Sequence, residues 1–205
     1  GVHVFNRYGA YNFYWVKNIP NPNVIGAGDI FFAGIIYNHL NNLDIFTSVE
    51  LACYAASKCV GKKKIRKIKI SDFKKDVLFT NGVFDILHKG HIDLLKFCKT
   101  ISKKVILGIN TDKSVKLNKG PKRPYNNLSK RLKNLKNTKL VDKIFSFNQK
   151  TPRKLIEKIK PDVIVKGDDY NFKNIEGSKF INVILFKKKN KLSTSKIIQK
   201  LAKSF

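Results

Sequence analysis

Residues 78–91 read Leu78-Phe79-Thr80-Asn81-Gly82-Val83-Phe84-Asp85-Ile86-Leu87-His88-Lys89-Gly90-His91. The run Val77 to Thr80 has the length and apolar character of a buried strand. Asn81-Gly82 ends it with a turn, and from Gly90 the pattern becomes that of a helix reaching about Ser102. Strand, glycine turn and helix start in succession form the unit of a parallel α/β sheet, in which ligands sit beyond the carboxyl ends of strands. Two of the four histidines, His88 and His91, fall at that point with Gly90 between them. Gly90 allows a ligand close to the backbone, and the free N–H groups of a helix start attract phosphate. Two imidazoles can donate to phosphate oxygens and stabilise charge that builds in a transition state. The alternative is a pair of structural histidines. The coincidence of strand, turn, paired His and helix start favours a phosphate site.

Working outward, Val105–Ile109, Lys143–Phe147, Val163–Val165 and Val183–Phe186 read as further strands. Helices are expected near Leu128–Asn137, from Thr151-Pro152 to Ile159 with Pro at the first helical position, and over Ser193–Ala202. Lys113–Asn127 reads as a lysine- and Pro-bearing loop. Strands alternating with helices predict a parallel sheet covered on both faces, a Rossmann-like α/β fold. Upstream, residues 1–25 hold scattered aromatics and a loop with Pro20 and Pro22. Gly26-Ala27-Gly28-Asp29 opens an apolar helix to about Leu40, and a second helix runs over about Ser48–Val60. The lysine-rich stretch Gly61–Lys75 reads as a surface link. Two domains are therefore expected, 1–72 and 73–205.

The 205 residues carry 42 Lys and Arg against 14 Asp and Glu, a formal net charge of +28. Such a charge ordinarily points to nucleic acid or an anionic surface. Yet the basic residues are 37 Lys and 5 Arg, beside 20 Asn and 23 Ile. The three abundant types, Lys, Asn and Ile, use A/T-rich codons, so a biased genome accounts for the excess. Lys is the weaker choice for bidentate recognition, and clusters such as Lys62–Lys64 lack interleaved aromatics for base stacking. Specific nucleic-acid binding is not expected. Hydrophobic residues at 42% provide a core, and the longest apolar run, Ile30–Tyr37, is too short to cross a bilayer. Cys53, Cys59 and Cys98 form neither a pairing framework nor a metal cluster. A cytoplasmic protein that does not engage a membrane is the expectation, and the absence of Met even at position 1 suggests a fragment.

The segment ending in His88-Lys89-Gly90-His91 resembles the H-x-G-H nucleotidyltransferase superfamily, which joins a nucleoside triphosphate to a phosphorylated small molecule and releases pyrophosphate. Gly108–Asp112, Leu117–Pro124, Val165–Tyr170 and Ser193–Ile198 resemble its later motifs in the same order. The likeness looks closest to the adenylyltransferase half of the bifunctional heptose 7-phosphate kinase/heptose 1-phosphate adenylyltransferases, which make ADP-heptose for lipopolysaccharide. The resemblance implies ATP and a sugar phosphate as substrates, with Mg²⁺ brought by the triphosphate. It implies catalytic roles for His88, His91 and Lys119. Nucleotide or phosphate contacts are implied at Thr80, Gly82, Phe84, Gly90, Lys122, Arg123, Asp168, Asp169, Ser193 and Thr194. Asp85 and Asp112 could hold their turns or meet a metal. Related members use CTP with glycerol phosphate or ethanolamine phosphate, so a cytidylyltransferase stays open, as does a homo-oligomer.

Gly26-Ala27-Gly28-Asp29, followed by Phe31, Phe32, Ala33 and Gly34, resembles the ribokinase-like (PfkB) sugar-kinase signature. Gly26 and Gly28 would line an anion hole at a helix start, and Asp29 would be the catalytic base. Asn23 and Ile25 stand where that family usually has Asp and Thr. About seventy residues bury too little surface for a stable kinase alone, so kinase activity is not expected of this stretch.

Overall fold

The computed structural model of the chain describes residues 1–5, 11–14, 19–60 and 67–187. Its backbone contacts fall into two units, Gly1–Lys75 and Asp76–Phe205, where the sequence placed the division at 72. In the first unit, β1 (Val2–Phe5) pairs antiparallel with β2 (Tyr11–Tyr14), Val2 opposite Tyr14 and Phe5 opposite Tyr11. The sequence reading did not foresee this hairpin, because strands of four residues carry almost no alternation signal. Helix α1 (Ala27–Leu40) and helix α2 (Ile45–Val60) follow. Although α1 is apolar all round, it buries only Ile30, Gly34 and Asn38, and Phe32, Ile36 and Leu40 are exposed. A Cβ on Gly34 would lie 3.0 Å from both Ala52 Cβ and the Phe73 ring, so a glycine is what lets α1 lie against α2.

The second unit is a five-stranded sheet in the order β5-β4-β3-β6-β7. Its strands are β3 (Lys75–Gly82), β4 (Ser102–Asn110), β5 (Lys143–Phe147), β6 (Val163–Gly167) and β7 (Val183–Phe186). The pairs β4–β5, β3–β6 and β6–β7 are parallel. Side chains alternate across the sheet as a twofold repeat requires. Ile106 joins Phe79 and Ile164 in one cluster under helix α6 (Arg153–Ile159), packed on Ile156. Leu107 and Ile109 point the other way. They pack with Leu95 of α3 (Lys89–Ile101) and Leu135 of α5 (Leu128–Asn137).

Two aspartates close the amino ends of the central strands. Asp142 accepts the Val105 N–H at 2.7 Å and returns its own N–H to Val105 O at 2.9 Å. Asp162 does the same with Val77, at 2.8 and 2.9 Å. The carboxyl ends are left for function. At Gly108 of β4 a Cβ would come within 2.8 Å of the Phe79 ring and 3.2 Å of Leu155. Gly108→Ala is therefore expected to destabilise the fold by about 1–3 kcal/mol, the range for overpacking a filled core. Urea unfolding checks this, and an unchanged midpoint would contradict it.

Lys113–Asn127 is not all loop: α4 spans Asp112–Lys119, capped by the Thr111 hydroxyl, which accepts the Ser114 N–H at 3.3 Å. Its periodicity is hidden because its only apolar residues are Val115 and Leu117, two positions apart. Pro152 is the N-cap of α6 rather than its first helical residue. The helix read over Ser193–Ala202 lies outside the described residues. Among those described, no helix is long and apolar enough to cross a membrane.

Candidate active site

From β3 the sheet grows through β4 and β5 on one side and through β6 and β7 on the other. The chain order thus reverses between β3 and β6, the switch point at which open α/β sheets hold ligands. A cleft of about 420 Å³ opens there, within the usual size of a small-molecule site. It is lined by the ends of β3 (Thr80, Asn81, Gly82) and β6 (Lys166, Gly167), by Asn110 of β4, and by the start of α3.

His88 caps α3 in an extended conformation, and its carbonyl accepts the N–H groups of His91 at 2.9 Å and Ile92 at 3.2 Å. The two imidazoles stack, with centroids 3.9 Å apart and planes at 26°. Below them the Phe84 ring tilts against His91 at 4.9 Å. Phe84 takes φ +49°, a left-handed conformation that bulky residues rarely adopt, and this turns its ring under the pair. The neighbouring glycines make room for these rings. A Cβ on Gly82 would sit 3.0 Å from Phe84, and one on Gly90 would sit 3.2 Å from the His88 ring.

The turn is held from a distance. The buried Asp85 carboxylate accepts the N–H groups of Tyr125 (2.9 Å) and Asn126 (2.8 Å) and faces Arg123 Nη2 at 3.2 Å. Arg131, on α5, is wholly buried and was missed in the sequence. Its Nε donates to Asn126 O (3.0 Å), Nη1 to Val83 O (2.7 Å) and Nη2 to Asp112 Oδ1 (2.7 Å). Asp112 Oδ2 also accepts the Leu128 N–H at 3.2 Å. Both aspartates therefore brace the turn, the first of the two roles the sequence left open for them. Among the described residues no group of three or more His, Cys, Asp or Glu could hold a metal. One signal for Arg131 did exist. Where Lys outnumbers Arg 37 to 5, a retained Arg marks a place that needs the guanidinium fork.

The sequence profile described as cytidylyltransferase-like matches residues 79–200, from the middle of β3 onward. The chain belongs to the cytidylyltransferase-like family. Residues 6–70 match the pfkB family carbohydrate kinases. Along 90% of its length the chain is 37% identical to the bifunctional protein HldE of Campylobacter jejuni, of which it covers 46%. It is 35% identical to the HldE protein of Helicobacter hepaticus over 89% of this chain and 45% of that one. The chain thus spans less than half the length of these curated relatives. A solved lipopolysaccharide core biosynthesis protein from Thermoplasma volcanium aligns with 57% of this chain and 99% of its own, at 25% identity and a TM-score of 0.48, too low to bear on the assignment.

Within the cytidylyltransferase-like unit the cleft gathers Thr80, Gly82, Phe84, His88, Gly90, His91, Lys119, Arg123 and Asp169 of the residues singled out in the sequence. Lys119 reaches it from the last turn of α4. Lys122 and Asp168 are exposed and do not line it, and the Asp168 N–H donates to Phe186 O at 3.0 Å. Ser193 and Thr194 lie outside the described residues. In the other unit Gly26, at φ +76°, caps α1, and Asp29 is exposed in the first turn.

The cleft also contains Lys166, which sequence reasoning passed over as part of an apolar strand. The residue is 6% exposed, and its ammonium donates to Asn81 O at 2.9 Å and lies 4.4 Å from the Tyr170 ring centroid. Burial pulls its pKa down from 10.5 to about 8, against a smaller upward pull from Asp169. With a lowered pKa the unfolded chain binds more protons, so Lys166 destabilises the folded state below about pH 8. That penalty fades as pH rises from about 8 to 10.5. The stability of wild type relative to Lys166→Met should accordingly improve across this window, by at most about 3 kcal/mol. Urea unfolding at a series of pH values checks this, and a pH-independent difference would contradict it. Taking the difference removes the opposing effect of Cys53 and Cys98, whose pKa values burial raises.

Proposed function

We propose that residues 76–205 transfer AMP from ATP to a heptose 1-phosphate, giving ADP-heptose and pyrophosphate, and that residues 1–72 are a portion of a ribokinase-like sugar kinase. The observation that carries this reading is the stacked His88–His91 pair at the start of α3, facing a switch-point cleft that Lys119 and Arg123 also line. A carbohydrate-kinase segment stands directly upstream, in a chain that aligns over 90% of its length with a protein named as bifunctional. That arrangement supports a sugar phosphate as acceptor over a polyol or amino-alcohol phosphate. An ATP-consuming reaction of this kind belongs in the cytoplasm.

In the proposed reaction an oxygen of the acceptor phosphate attacks the α-phosphorus of ATP in line. The bond from that phosphorus to the bridging oxygen breaks, and pyrophosphate leaves. The nucleophile is already an anion, so positioning and charge stabilisation dominate over base catalysis. His88 and His91 donate to the α-phosphoryl oxygens, beside the free N–H groups of α3. Lys119 and Arg123 offset the charge of the assembled phosphates, and Asp169 meets the ribose or base. Ser193 and Thr194 hold the β- and γ-phosphates. Asp29, with Gly26 and Gly28 at the head of α1, would be the base of the kinase portion.

The described residues offer no metal cage, so Mg²⁺ would enter as part of the substrate, neutralising phosphate charge. Chelation is then expected to abolish turnover reversibly while the melting temperature of the ligand-free protein stays unchanged. A fall in melting temperature on chelation would contradict a metal that travels only with ATP.

The reaction is tested by pyrophosphate release with ATP or CTP, each offered heptose 1-phosphate or glycerol 3-phosphate. Turnover confined to ATP with the heptose is expected. Turnover with CTP and glycerol 3-phosphate would move the protein to the cytidylyltransferases proper.

A further inference from the structure

We propose that Lys166, together with Thr80 and Asn81, forms the subsite for the acceptor and selects a hydroxylated small-molecule phosphate; this deepens, and rests on, the transferase reading above. The three stand on the two strands that flank the switch point. β3 and β6 pair through Leu78–Val163 and Phe79–Ile164, and just beyond that pairing Lys166 Nζ reaches across to Asn81 O at 2.9 Å. That carbonyl is the acceptor for one of the three N–H bonds of the ammonium, and the Tyr170 ring covers another side of it. Thr80 Oγ1 and Asn81 Oδ1 are also buried, and neither has a hydrogen-bond partner within the protein.

Buried polar atoms are nearly always bonded, so each exception asks for an explanation. Here a cation, a hydroxyl and an amide oxygen belong to three residues that line one cleft, with bonding capacity left over. Their chemistry is specific. An ammonium and a hydroxyl suit phosphate oxygens, but an amide oxygen repels them and instead accepts from a hydroxyl. A triphosphate offers only acceptors at its phosphates, and the reading above already gives it the His pair, the start of α3 and the cations Lys119 and Arg123. A ligand carrying both a phosphate and hydroxyl groups satisfies all three residues at once. Lys166 also stands directly after Val163, Ile164 and Val165 on a fully buried strand. A neutral apolar side chain there would avoid the burial that pulls its pKa down to about 8. A charge kept in such a place is more often functional than structural.

The test uses the full chain as wild type, Lys166→Met and Thr80→Val. Heptose 1-phosphate, glycerol 3-phosphate, inorganic phosphate and ATP are each titrated by calorimetry. Loss of a charge-assisted bond is expected to weaken hydroxylated-phosphate binding by about ten- to a hundredfold in Lys166→Met, and loss of a neutral bond by up to about tenfold in Thr80→Val. ATP affinity should stay within about twofold of wild type, and inorganic phosphate should bind more weakly than either hydroxylated phosphate. In steady-state turnover the acceptor KM should rise while the ATP KM holds.

Equal losses for ATP and acceptor would overturn the proposal in favour of a nucleotide contact, and unchanged affinities would leave the lysine a strand tie only. A wild type that binds no hydroxylated phosphate would overturn it whatever the turnover. If wild type transfers no adenylyl group yet binds a hydroxylated phosphate through Lys166, the reaction fails and the subsite stands. If Lys166→Met does not melt cooperatively, Thr80→Val decides on the same criteria.

Discussion

His91→Ala is expected to cut pyrophosphate release by about 10²–10³-fold, the range for removing one donor that meets developing charge. His88→Ala should do the same. The two rings stack at 3.9 Å, so on this account they address one phosphoryl group. The double variant should then lose much less than the product of the two single losses, because groups acting as a unit are not additive. Thermal melts separate this from a structural effect. His91 packs on Phe84, so a small shift in melting temperature is expected with a large loss of rate. An activity loss that merely follows the fall in stability would contradict a catalytic pair.

The second large effect concerns stability. Arg131→Lys is expected to destabilise the protein by about 3 kcal/mol, because buried acceptors lose donors that an ammonium cannot replace. The guanidinium serves Asn126 O, Val83 O and Asp112 in three directions from a wholly buried position. A lysine ammonium cannot reproduce that fork, and the acceptors it leaves stay desolvated. The matched control is Arg153→Lys. Arg153 is exposed on α6 and pairs with Glu157 one turn away, so its replacement should change stability by less than about 0.5 kcal/mol. Equal effects in urea unfolding would mean that Arg is not retained in this lysine-rich chain for its geometry.

The central strands and the His-bearing turn were legible because their signals are local. A buried strand, a glycine turn and a helix start are written within fourteen consecutive residues, 78–91. What supports the turn is not local. Asp85 finds its partners at Arg123, Tyr125 and Asn126, and no spacing rule connects these positions. Helix α4 was hidden for a different reason, since its two apolar residues, Val115 and Leu117, stand two apart rather than at helical spacing. Lys166 was quoted in a motif yet read as background, because one charge within Val163–Gly167 looks like an edge rather than a cleft lining. Only the reach of its ammonium from β6 across to Asn81 O on β3 reveals its setting. Phe84 is the clearest case of a local rule broken at a site: a bulky residue at φ +49° directly beneath the catalytic candidates.

The central claim is that this cleft moves the α-phosphoryl group of ATP. It is tested most directly by incubating the protein and heptose 1-phosphate with ATP labelled either at the α- or at the γ-phosphorus, then following the label. The account predicts the α-label in a nucleotide-sugar and the γ-label in pyrophosphate, both lost in His91→Ala. The γ-label in the sugar, or the α-label left in unreacted ATP by a cooperatively folded protein, would contradict it.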